Sequence, residues 1–148
     1  MRLRIRNEVR KPMDDIKEIF GEVISTYSRV QAIEDGVLVD LTQGELGELV
    51  REAGIRYPLA CTAAVYANYI GMTPAAKKMG NDIKGRMWDV LTMYKYAVRG
   101  ANPGQQQIYI HLHCVVKRIV PSPVVIKAVC GPGDTAEPVI TLMMPDED

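Results

Sequence analysis

His111 and His113 are the only histidines in the chain. Two residues apart in an alternating stretch, they project from one face of a strand, as two ligands of a divalent metal would need to. A third ligand is lacking, because Cys114 falls on the opposite face and no acid lies nearby in sequence. The pair reads as structural or solvent-facing, and neither a metal nor a cofactor is expected. Gly131-Pro132-Gly133-Asp134 has the glycines of a phosphate-cradling loop. Such loops lead into a helix whose N-terminal amides hold the anion. Here Pro138 and a strand pattern follow, so a wide hairpin turn is the reading.

Three other constellations could bind a ligand or partner. Tyr27, Ser28 and Arg29 stand where a strand pattern, Glu22–Tyr27, meets a helix start, so amides and hydroxyls could converge on an anion or nucleotide. Some ADP-ribosyltransferase-like folds use a strand–Thr/Ser–helix–Gly element of this kind, with Glu137 available as a distant acid. The competing explanation is a helix cap beside a core tyrosine. Arg86, Trp88 and Asp89 lie within one helical turn, and Arg86 can pair with Asp89 at the surface. A tryptophan beside an arginine suits an interface. Arg56-Tyr57, just before Pro58, is a similar polar–aromatic pair. No GxSxG, HExxH, Walker, Rossmann, RNP-like or zinc-finger pattern occurs, which lowers the expectation of a common enzyme type.

Charge is segregated although the total is balanced at 18 basic and 18 acidic residues. Residues 1–11 carry five basic groups against Glu8, a net of +4. Residues 12–55 carry three basic groups against ten acids, a net of −7. Residues 56–127 carry ten against Asp82 and Asp89, a net of +8, and the remainder carries five acids, a net of −5. Such blocks either compensate one another in the fold or leave charged faces for a partner. The three cysteines show no CxxC spacing, and Met1-Arg-Leu-Arg-Ile-Arg has no apolar signal core. Both point to a reducing cytoplasm with buried thiols. The longest weakly polar run, Leu59–Ile70, is too short to span a bilayer.

The elements that must position these residues are well punctuated. Ser28-Arg29-Val30-Gln31 and Thr42-Gln43-Gly44-Glu45 have the pattern of capping boxes, with Gly36 and Gly54 as stops. A central helix is predicted from Pro58 to Ile70, a short one from Thr73-Pro74 to Gly80, and the longest from a cap at Asn81 to Arg99. In the longest, Ile83, Met87, Val90, Leu91, Tyr94, Ala97 and Val98 form one apolar stripe. After Gln107 the period changes to two. Strands are predicted from Ile108 to Val116, over Val124–Cys130 and over Val139–Met144, with Pro121-Ser122-Pro123 and Gly131–Pro138 as turns. A strand at Val37–Leu41 is a further candidate. The fold expected is α+β, with helices in the first two-thirds and a C-terminal antiparallel β-meander. It forms one domain over 1–148, with a basic arm or edge strand at 1–11 and a fraying acidic tail at 145–148. Leu59, Ala63, Tyr66 and Ile70 should be buried with the stripe and the inward strand positions. Val139–Met144 should close the sheet as an uncharged edge, covered by a helix or paired by the Arg2–Arg6 strand or by a second subunit.

The segments Phe20–Thr42, Arg51–Val65, Arg86–Leu91 (RMWDVL) and Gly131–Asp148 (GPGDTAEPVITLMMPDED) together resemble a family of small uncharacterised proteins found in bacteria and on plasmids and phages. The resemblance brings no catalytic or binding residues. It implies an accessory role and a mobile-element context. The expected function is a non-catalytic binding protein, an inhibitor or modulator of host machinery, with a protein partner and homodimerisation. A nucleotide-binding or ADP-ribosyltransferase-like enzyme is the first alternative. Nucleic-acid binding through Arg2, Arg4, Arg6, Arg10 and Lys11 is the second.

Overall fold

A computed structural model describes residues 27–148, together with the backbone of two short strands, β1 (Ile16–Lys17) and β2 (Ile19–Phe20), paired parallel. The expected arm at 1–11 and most of the candidate strand Glu22–Tyr27 lie outside the described residues. The chain divides into two compact units, Met1–Ala32 and Ile33–Asp148.

In the first unit, the Ser28 capping box forms as its pattern predicts. The Gln31 backbone N–H donates to Ser28 Oγ, and the Ser28 N–H donates to Gln31 Oε1, both at 3.0 Å. The box opens α1 (Arg29–Glu34), whose last two residues, like Gly36 after it at φ +79°, already belong to the second unit.

The second unit is built on a five-stranded mixed sheet. Its strands are β3 (Leu38–Asp40), β4 (Leu59–Thr62), β5 (Gln107–Cys114), β6 (Ser122–Pro132) and β7 (Pro138–Met143), in the order β3-β4-β7-β6-β5. The class is α+β, but the sheet is not a C-terminal antiparallel meander. β5, β6 and β7 do form antiparallel pairs. β7 then pairs parallel with β4, with Leu59 opposite Ile140 and Cys61 opposite Leu142. It is therefore an interior strand, and the closing edge expected at Val139–Met144 does not exist. The edges among the described strands of this sheet are β3 and β5.

The segment from Pro58 supplies the largest correction. Leu59–Thr62 is a strand, and the helix begins only at α3 (Ala63–Val65), which continues into a π-helical turn, Tyr66–Ile70. Thr62 caps this helix by accepting from the Val65 N–H. Ala63, expected in the core, is exposed.

Two helices follow, α4 (Pro74–Lys78) and α5 (Ile83–Arg99), after α2 (Gly44–Glu52) near the start of the unit. Thr73 caps α4 as expected. Asp82, not Asn81, caps α5, its carboxylate accepting from the Gly85 N–H at 2.7 Å. Thr42 does not cap α2. Its hydroxyl instead donates to the Leu59 carbonyl and accepts the Leu59 N–H, fastening the start of α2 to β4. Gly47 is required in the first turn of α2, since a Cβ there would meet the carbonyl oxygen of Thr42, just ahead of the helix, at 2.1 Å. Gly54 ends α2 with φ +88°, a conformation glycine adopts without strain.

The alternation of β5 matches its pattern: Ile108, Ile110, Leu112 and Cys114 are buried and the residues between are exposed. They join Met87, Val90 and Leu91 of α5, Val50 of α2, Leu59 and Cys61 of β4, and Ile140 and Leu142 of β7 in one core. The acidic tail is anchored. The Glu147 carboxylate accepts from the Thr62 hydroxyl and the Met144 N–H, and Lys127 Nζ donates to the Glu147 carbonyl.

Candidate partner-binding surface

The eight residues singled out by the sequence fall in three places. Tyr27, Ser28 and Arg29 belong to the first unit, where the Ser28 hydroxyl is engaged by its own cap. Glu137 sits in the β6–β7 hairpin, its carboxylate accepting from the Thr135 hydroxyl.

Arg86 is not at the surface. Only 5% exposed, it donates from Nη1 to the Val115 carbonyl and Asn81 Oδ1, and from Nη2 to the Asn68 carbonyl. The guanidinium thus ties α5 to the π-helical turn and to the end of β5. Its Nε–H has no acceptor among the described residues. Asp89 is exposed; partial burial pushes its carboxyl up, and the Arg86 charge pulls it back down. Arg86, Asp89, His113 and Cys114 border a small cavity of about 140 Å³. Burial pushes the Cys114 thiol up, with Arg86 opposing, and pushes Cys61 up to about 12. Both thiols stay protonated at neutral pH, a poor state for a nucleophile.

Arg56 and Tyr57 lie elsewhere, and with them the structure assembles residues that the sequence did not connect. Two adjoining clefts of about 350 and 400 Å³ share Tyr57, Tyr94, Val98 and Ile140. Arg56, Lys95 and Arg99 line the larger one, and no carboxylate among the described residues lines either. Arg56 is exposed, as is Arg99, and neither they nor Lys95 has a hydrogen-bond or ion-pair partner among the described residues. The floor is apolar: Val98 and Ile140, with Ile108 and Ala128 from the sheet. Burial, and then Cys130, pushes the Tyr94 hydroxyl up.

Trp88 extends this surface. Together with Thr92, Tyr96 and Arg99, at helical spacings of 4, 8 and 11, it forms an exposed ridge on α5. Trp88 is 38% exposed and Tyr96 68%, while Tyr57 and Val98 are nearly half exposed. Exposed tyrosine, tryptophan and arginine around an apolar floor are the composition of interface anchors, each offering a large apolar body and a polar tip. Tyr94, Lys95, Tyr96, Val98 and Arg99 were absent from the sequence candidates. The available signal was the stripe itself, which ends on Val98 beside two cations.

His111 and His113 are exposed on one strand face, as their spacing requires. Among the described residues no group of three or more His, Cys, Asp or Glu could hold a metal ion. No helix among them is long and apolar enough to cross a membrane.

A mixed-sheet α+β unit with an arginine–tyrosine surface whose cations have no partner among the described residues is the class that fold and site define. The chain belongs to the family of unknown function DUF6573, which it matches over residues 16–148. No curated protein and no solved structure matches the chain.

Proposed function

We propose that the chain is a non-catalytic binding protein, an accessory of the kind carried by mobile elements, which modulates host machinery by attaching to a protein partner. The observation that supports this reading is the paired cleft at Tyr57 and Tyr94. Its cations have no partner among the described residues, its floor is apolar and its flank is an aromatic ridge. An interface buries such groups with profit, whereas a folded domain gains nothing by exposing them. The segregated charge of the sequence is consistent with the same role.

The test is a quantitative pull-down from a bacterial lysate with two baits, the unaltered chain and the double substitution Tyr57→Ala, Arg99→Ala. Both positions are exposed, so the variant should fold, which circular dichroism checks. A protein retained by the first bait and lost by the second supports the reading. Equal recovery on both baits, or none on either, removes it.

A further inference from the structure

We infer that the occupant of the Tyr57–Tyr94 surface is an acidic segment of the partner protein carrying an aliphatic or aromatic side chain. This rests on the binding reading above and names the chemistry of the partner. Two features carry it: three cations at the larger cleft lack a partner among the described residues, and the floor beneath them is apolar.

The two buried cations of the unit are engaged: Arg86 holds three neutral oxygens, and Lys127 holds the Glu147 carbonyl. Arg56, Lys95 and Arg99 are answered by no oxygen of this unit, and they stand together around one cleft that no carboxylate of the described residues lines. A guanidinium presents a planar fork that matches a carboxylate with two parallel hydrogen bonds, and charge-assisted bonds of this kind are about twice as strong as neutral ones. The floor asks for something else. Val98, Ile140 and the Tyr94 ring offer apolar contact to a side chain entering from above. An acidic residue next to an apolar one satisfies both demands at once.

A nucleic-acid strand fits less well. Its phosphates require a basic track that continues beyond one cleft. Here the cations line one cleft only, and the adjoining cleft carries none. A polyanion running on would leave them, whereas a short acidic peptide need not.

The experiment selects short random peptides displayed on phage against the full chain, with counter-selection on Arg56→Glu, Arg99→Glu. The best peptide is then synthesised with a fluorophore and titrated by anisotropy. The expected result is enrichment of Asp and Glu around a Leu, Phe or Trp. Affinity should fall about tenfold or more in the Arg99→Glu chain and recover in part when one peptide acid becomes Lys. Neutral or basic winners, no enrichment, indifference to Arg99→Glu, or displacement of the peptide by a thymidine oligonucleotide at lower concentration than by unlabelled peptide would each overturn it. The two readings fail separately. A host protein lost by the Tyr57→Ala, Arg99→Ala bait, alongside neutral selected peptides, sinks only the acidic partner. Unchanged capture by that bait sinks the surface itself.

Discussion

At one end of α5, Arg86 is buried with three oxygens around it; at the other, Arg99 is exposed with no partner among the described residues. The residue type and the helix are the same. What differs is the backbone supplied nearby. Around Arg86, the π-helical turn and the end of β5 present the Asn68 and Val115 carbonyls, and the guanidinium answers both. Around Arg99 the chain leaves the helix for a loop and brings no acceptor. A cation that satisfies backbone is part of the fold, while one that satisfies nothing is available to another molecule.

Substitutions along α5 test this contrast. Arg86→Ala should cost about 3 kcal/mol in urea unfolding, because the Val115 and Asn68 carbonyls lose their charged donor and the buried side chain leaves a void. A midpoint close to that of the unaltered chain would erase the distinction between the two ends. Met87→Ala, a fully buried neighbour on the same helix, should cost about 3 kcal/mol through the cavity it leaves. Similar losses at 86 and 87 would mean that the buried end behaves as one unit.

Thr42→Val keeps shape but removes both hydrogen bonds to Leu59, and about 2 kcal/mol should go with them. Cys61 gives a pH dependence. Its folded thiol titrates near 12, well above the ordinary value of 9.0, so the unfolded chain loses its proton first as pH rises. Stability is intact below pH 9 and should fall by roughly 1 kcal/mol per pH unit above it. The slope should flatten in Cys61→Ala; an unchanged slope would show that another group governs the alkaline limit. Smallest in stability is Arg99→Ala, which should shift unfolding by less than about 0.5 kcal/mol while reducing partner capture. A large stability loss there would move Arg99 into the folding machinery and remove the contrast.

The parts of this architecture legible in the sequence are those with a single exposed face. β5 alternates because one side meets the core and the other meets water, and α5 shows its stripe for the same reason. β4 was misread because Leu59, Ala60 and Cys61 are all buried, which removes any alternation. With alanines on either side, the run looks helical. Thr42 matched a capping pattern, but local spacing cannot reveal a backbone group arriving from seventeen residues away. At the surface, Arg56, Tyr57 and Trp88 were legible as polar–aromatic groups. Tyr94 and Val98 were not, because periodicity assigns a face to each side chain without saying where the covering elements stop.

The parallel pair β4–β7 also sets a timetable for synthesis. β4 emerges with β3 as its only described neighbour and must wait for Pro138–Met143, the last described strand of the sheet, before its other edge is filled. Through that interval the nascent chain carries an apolar edge, Leu59-Ala60-Cys61, whose partner does not yet exist. Ribosome stalling or premature termination before residue 138 would therefore release a product prone to pairing with its own kind. Any chaperone that attends this protein has its longest task at β4.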